Sequence, residues 1–227
     1  PLFTFVQLND THIQDPNRKP HPYEKCNEKV RYLVKCLNEE KYFSKPAFAL
    51  LVGDIINGGA TFTRPSTKEE IVNDSTEAKQ ILADLKFPYY MIIGNHEYIG
   101  GSTNAGVYAG YEEIFGSDRI NYSFLHKGVL FICIDNFSDW GINGGITAER
   151  NVWLAELFKK YPETPKIIAG HFPVYCVRDE EVFKKSLGLG INWMWGDSTR
   201  KFLKENNKTI IAFLAGHNHM TGAIDVD

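Results

Sequence analysis

Tyr89-Tyr90-Met91-Ile92-Ile93-Gly94-Asn95-His96-Glu97 decides the reading of this chain. Five residues rich in aromatic and branched side chains have the length of a buried strand. A glycine then lets the backbone turn sharply. Three polar residues that can bind metal or move protons follow. The same grammar recurs four more times, three of them with the glycine. Phe3–Leu8 leads to Asp10-Thr11-His12, and Ala49–Val52 to Gly53-Asp54. Ile167–Ala169 leads to Gly170-His171, and Ile210–Ala215 to Gly216-His217-Asn218-His219. Five of the seven histidines thus follow directly on an apolar run. In open α/β sheets the carboxyl ends of the strands face the ligand crevice. One shared site would collect Asp10, His12, Asp54, Asn95, His96, His171, His217 and His219.

Between these runs lie helical patterns. Tyr23–Leu37 carries Val30, Leu33, Val34 and Leu37 at helical spacing. Thr67–Leu85 opens with Ser66 or Thr67 as cap and acidic residues behind it. Thr147–Lys160 begins with a capping threonine and ends in lysines, as the helix dipole favours. Ser198–Asn206 predicts a shorter helix. Tyr122–Leu125 and Val129–Ile134 flank His126-Lys127-Gly128 and predict a hairpin turned at Gly128. Strand runs alternating with helices imply an α/β protein with a largely parallel sheet and an antiparallel edge or second sheet. No repeat or linker divides the 227 residues, so a single domain over 1–227 is expected. A strand is starting at Ala223–Asp227, so the chain is expected to be clipped there.

Composition excludes several classes. With 43% hydrophobic and 23% charged residues the chain is an ordinary globular one. A formal net charge of −3 carries no footprint for nucleic acid. No apolar stretch reaches the ~20 residues of a membrane span. The four cysteines, Cys26, Cys36, Cys133 and Cys176, have no close pairing that would suggest a thiolate zinc site. The given sequence shows no signal-peptide pattern; a cytoplasmic location is the expectation, and a clipped start leaves secretion open.

The donors are imidazole nitrogens, carboxylates and one amide oxygen, a set suited to Mn, Fe, Zn, Co or Ni rather than Ca or Cu(I). They exceed what one tetrahedral ion can use. Two ions about 3.5–4 Å apart could clamp the attacking and leaving oxygens of a phosphoryl displacement. Taken singly, each motif has a plainer reading: Asp-Thr-His as a cap, Gly-Asp as a loop end, His171 as a core histidine. Five in order, all at strand ends, make chance a poor account.

Asp10-x-His12, Gly53-Asp54, Gly94-Asn95-His96-Glu97, Gly170-His171-x-Pro173 and Gly216-His217-x-His219 together resemble the signature of the calcineurin-like metallophosphoesterase superfamily. The resemblance covers about Leu2 to Met220. It implies a four-layer αββα sandwich with two mixed β-sheets. It further implies that Asp10, His12, Asp54 and His219 hold one divalent ion (Mn, Fe or Zn). Asp54, Asn95, His171 and His217 would hold a second, with Asp54 bridging. A hydroxide bridging the ions would attack phosphorus, and His96 would protonate the leaving oxygen. The substrate would be a small phosphomonoester, phosphodiester or nucleotide-type ester. Asn57-Gly58-Gly59 and Ile93 replace the arginine-bearing segments of protein Ser/Thr phosphatases, and Asn57 with His12 departs from purple acid phosphatases. The pattern is nearest the bacterial-type branch that includes cyclic-nucleotide phosphodiesterases, though Glu97 stands where that branch often has Asp. Alternatives are a silent binding or scaffold module of this fold, or a nuclease of the superfamily. Substrate contacts are expected from Asn57 and from Trp193 and Trp195 in the long loop after His171. A further loop, Gly100–Asn104, follows the Gly-Asn-His-Glu motif.

Overall fold

A computed structural model describes residues 2–19, 25–41, 44–58, 66–98, 108–136, 146–174, 197–219, 221–223 and 225, with the side chains of 197–200 excepted. The chain divides into two compact units, Pro1–Ile120 and Asn121–Asp227.

The first unit is built on three strands, β1 (Val6–Leu8), β2 (Ala49–Val52) and β3 (Tyr89–Ile92). They lie in the order β1-β2-β3 and are parallel throughout. β2 is central and buried along its whole length, so it reads as an unbroken apolar run, Ala-Leu-Leu-Val, without polar alternation. Among the described residues three α-helices accompany the sheet: α1 (Cys26–Asn38), α2 (Lys68–Leu82) and α3 (Ala109–Phe115). On α1, Val30, Val34 and Leu37 form the buried stripe at helical spacing. α2 begins at Thr67, whose hydroxyl accepts from the Glu70 N–H while Glu70 reaches back to the Thr67 N–H. That capping box satisfies two donors that a helix start otherwise strands. Gly110 lets α3 approach α2 closely, since a Cβ there would lie 2.8 Å from the Ile71 side chain.

α2 also carries a buried acid. Asp74 pairs with Arg18 and accepts the Asp15 N–H at 2.8 Å. Burial outweighs both favourable contacts and pushes its carboxyl up from 3.8 to about 6. Between those values the folded state binds more protons than the unfolded state. Stability from this group therefore falls as pH rises through the window, by at most about 1.4 kcal/mol per pH unit. Urea unfolding of wild type and Asp74→Asn across that range checks the sign. The stability difference, wild type minus variant, is expected to shrink with rising pH; growth would contradict it.

The second unit holds β4 (Tyr122–His126), β5 (Val129–Cys133), β6 (Lys166–Ala169) and β7 (Ile210–Leu214), in that order across a mixed sheet. β4 and β5 form the predicted antiparallel hairpin, and β5, β6 and β7 run parallel. Both turn residues are left-handed, Lys127 at φ 46° and Gly128 at φ 87°, which matches the twist of the flanking strands. α4 (Ala148–Lys160) is capped by the Thr147 hydroxyl, and α5 (Asp197–Glu205) follows. Leu130, Ile132, Leu154, Phe158, Ile168 and Leu203 form the core between helices and sheet. Lys166 is buried beneath it. Its ammonium donates to the carbonyls of Tyr161 and Thr164 and to the Thr209 hydroxyl, and lies 4.8 Å from the Phe158 ring centre. Burial lowers its pKa. No helix among the described residues is long and apolar enough to cross a membrane.

Candidate metal centre

In the first unit the chain keeps its parallel pairing beyond the ends of β1 and β2. Asp10 N–H donates to Gly53 O at 3.1 Å, His12 N–H to Asp54 O at 3.0 Å, and Ile13 N–H to Ile55 O at 2.8 Å. Asn57 N–H returns to Ile13 O at 2.8 Å, closing a bridge between Ile13 and Ile56. The Thr11 hydroxyl donates to Ile55 O at 2.8 Å. Sequence spacing alone could not supply this zipper, because its partners are over forty residues apart. It puts His12 and Asp54 side by side.

Backbone strain concentrates at these positions. Among the described residues eight non-glycine positions have left-handed φ, and five are candidate ligands: Asp10, His12, Asp54, His217 and His219. Such conformations cost free energy and persist where surrounding structure enforces them, often at functional sites.

Glu97 does much of the enforcing in the first unit. Its carboxylate is fully buried and accepts four backbone N–H bonds, from Asp54 (3.1 Å), Ile55 (2.8 Å), Ile56 (3.1 Å) and Gly94 (2.5 Å). One side chain thereby ties the loop after β2 to the turn after β3. Asn95 and His96 lie in that turn, a single 3₁₀ turn over Asn95–Glu97. His96 N–H donates to Asp54 Oδ1 at 3.0 Å. The His96 ring sits 4.6 Å from the His12 ring, edge to face. One donor atom each from His12, Asp54 and His96 lie within 4.8 Å of one another.

In the second unit the chain after β6 and β7 repeats the device. Gly170 N–H donates to Leu214 O at 3.1 Å and Gly216 N–H to His171 O at 2.9 Å. His171 is fully buried, and its ring centre lies 5.2 Å from that of His217. Phe172 covers His217 at 4.1 Å. Asn136, buried just past β5, holds this loop from below. Its amide donates to Phe172 O at 2.7 Å and accepts Phe172 N–H at 3.0 Å. Next to it, the buried Asp135 pairs with Arg150 at 2.6 Å.

Glu97 and Asn136 were not singled out as positioning residues from sequence. Asn136 had a signal: Asp135-Asn136 also follows an apolar run, Val129–Ile134. Asn57, expected to touch substrate, has its side chain turned to the buried Gln14 and its carbonyl turned to His96. Trp193, Trp195, His21 and the loop Gly100–Asn104 lie outside the described residues.

The donor set fits transition ions. Imidazoles and a carboxylate cluster within each other's reach in the first unit, and two imidazoles lie close in the second.

The family described as calcineurin-like phosphoesterase matches residues 3–221. A Bacillus subtilis protein, YvnB, is 24% identical over 96% of this chain, which spans only 15% of that protein's length. An Arcobacter nitrofigilis protein named "Probable glycerophosphodiester phosphodiesterase GpdQ" is 22% identical over 94% of the chain and 71% of its own length. The crystal structure of a dimetal phosphatase from Danio rerio is 16% identical, covers 98% of this chain and 83% of its own, and superposes with a TM-score of 0.66. That likeness establishes the shared fold. The chain belongs to the calcineurin-like phosphoesterase family.

Proposed function

We propose that this chain hydrolyses a small phosphate ester, a phosphodiester foremost, at a pair of divalent metal ions. Asp10, His12, Asp54 and His219 would hold one ion, and Asp54, Asn95, His171 and His217 the other. The observation that carries the reading is the approach of His12, Asp54 and His96 past the strand ends of the first unit, the first two in left-handed backbone. The Arcobacter relative's name supports a diester. Bound ions would supply Lewis acidity and an acidified water as nucleophile.

The chain's own contribution centres on His96. A carbonyl cannot donate, so the contact of His96 Nδ1 with Asn57 O at 3.2 Å makes Nδ1–H the donor. That leaves Nε2, 3.9 Å from Asp54 Oδ2, on the side of the ligands. In the proposed role the ring acts as the imidazolium: its Nε2 proton passes to the leaving oxygen as the P–O bond breaks, and the neutral Nδ1–H ring remains. An alkoxide needs that proton; a nitrophenolate does not.

His96→Asn tests the role. It is expected to retain metal and to slow an alkyl phosphodiester about 10²–10⁴-fold more than an aryl one. Equal losses in kcat/KM on the two esters would reject the general acid. Loss of bound metal would move His96 into the ligand set.

A further inference from the structure

The Asn57 carbonyl that meets His96 is itself held in place, and the holder is a residue the metal chemistry does not use. Gln14 is fully buried, two residues beyond His12. Its Oε1 accepts from Asn57 Nδ2, and its Nε2 donates to Arg18 O at 2.8 Å. Its backbone is gripped from α1: Gln14 N–H donates to Asn27 Oδ1 at 3.1 Å, and Asn27 Nδ2 donates to Gln14 O at 2.7 Å. Asn27 in turn donates to Glu77 Oε1 at 3.1 Å on α2. The Gln14 amide therefore has one orientation, with its oxygen toward Asn57, because the opposite flip would set NH₂ against NH₂ and oxygen against a carbonyl. Asn57 is fixed at two points, by this bond and by its own N–H to Ile13 O at 2.8 Å. Its carbonyl is thus aimed at His96 Nδ1.

We propose that Gln14 is a positioning residue for His96: through Asn57 it fixes the imidazole's tautomer and orientation, with Nδ1–H tied back and Nε2 presented to the leaving group. The chain Gln14–Asn57–His96 does for a proton-transferring histidine what a carboxylate or carbonyl partner does for metal-bound histidines. Its effect on catalysis rests on the proposed role of His96, but its effect on the ring does not.

Two readouts separate those layers. The first is the ¹⁵N pattern of the His96 ring in the neutral, metal-free full chain. Wild type is expected to carry the proton on Nδ1. Gln14→Met, which removes the acceptor for Asn57, is expected to give a mixture of tautomers. Asn57→Ala breaks the same link from the other side and should do likewise, which keeps the test alive if Gln14→Met does not fold. The second readout is the alkyl-to-aryl ratio of kcat/KM in the metal-loaded enzyme, expected to fall roughly 10–100-fold in Gln14→Met. In a His96→Asn background the same substitution should not change the ratio further.

A merely structural Gln14 would lower the melting temperature while leaving tautomer and ratio as in wild type, and that result overturns the proposal. So does an altered ratio that persists in the His96→Asn background. If His96→Asn slows both esters alike, the general-acid reading fails, and the ring pattern alone still decides whether Gln14 positions His96.

Discussion

Asp54→Ala is expected to lose both metal ions and with them all measurable hydrolysis. Asp54 is the proposed shared ligand, nearly fully buried in a left-handed conformation at φ 48°. Its Oδ1 accepts the His96 N–H, so the carboxylate also holds the turn that carries Asn95 and His96. Removing it takes away the bridging charge and that anchor at once. If Asp54 served only as a loop-end cap, the loss would be about 1 kcal/mol of stability and nothing more. Metal content separates the two cases. Asp54→Asn refines the test, because asparagine tolerates left-handed backbone nearly as well and keeps the size. A variant with alanine that binds metal as wild type does would remove Asp54 from the ligand set.

Glu97→Ala is expected to be the most destabilising single change in the first unit. It strands four backbone N–H groups, of Asp54, Ile55, Ile56 and Gly94, where the carboxylate they shared was fully buried. Each buried unsatisfied donor costs about 1–3 kcal/mol. The sum rivals the ~5–15 kcal/mol by which a typical domain is stable. Glu97→Gln should fall between, since an amide keeps one oxygen for Ile55 and Ile56 but turns NH₂ toward Gly94 and Asp54. Chemical denaturation measures the series. A Glu97→Ala protein within about 1 kcal/mol of wild type would show that water or rearrangement replaces the carboxylate.

Much of this architecture was legible because it is local. The apolar runs ended where the strands end to within a few residues, and Thr67 and Thr147 capped the helices expected of them. The strand-end motifs stood out because histidines and aspartates after glycines are conspicuous. α3 was not foreseen. Ala109–Phe115 contains Gly110, a poor helix former, and the segment is helical where Gly110 lies against Ile71 and Tyr111 is buried. The expected start of the first helix at Tyr23 falls outside the described residues; described helix begins at Cys26. Glu97 was read as a mark of subfamily, whereas three of its four donors lie 41 to 43 residues away and only folding reveals them. The bonds of Asn57 were hidden for the same reason: its partners, Gln14 and His96, are 43 and 39 residues distant. The left-handed backbone at His12, His217 and His219 carries no sequence signal either, since glycine would be the usual choice.

The central claim is that the chain's strand-end histidines and aspartates bind a pair of ions that hydrolyse a phosphate ester. Titrating Mn into metal-free protein while recording hydrolysis of an aryl phosphodiester tests it most directly. The account predicts tight uptake of about two equivalents per chain, with hydrolysis rising to a plateau as the second equivalent binds. A protein that takes up no Mn, or that fills with Mn and releases no product, would contradict it.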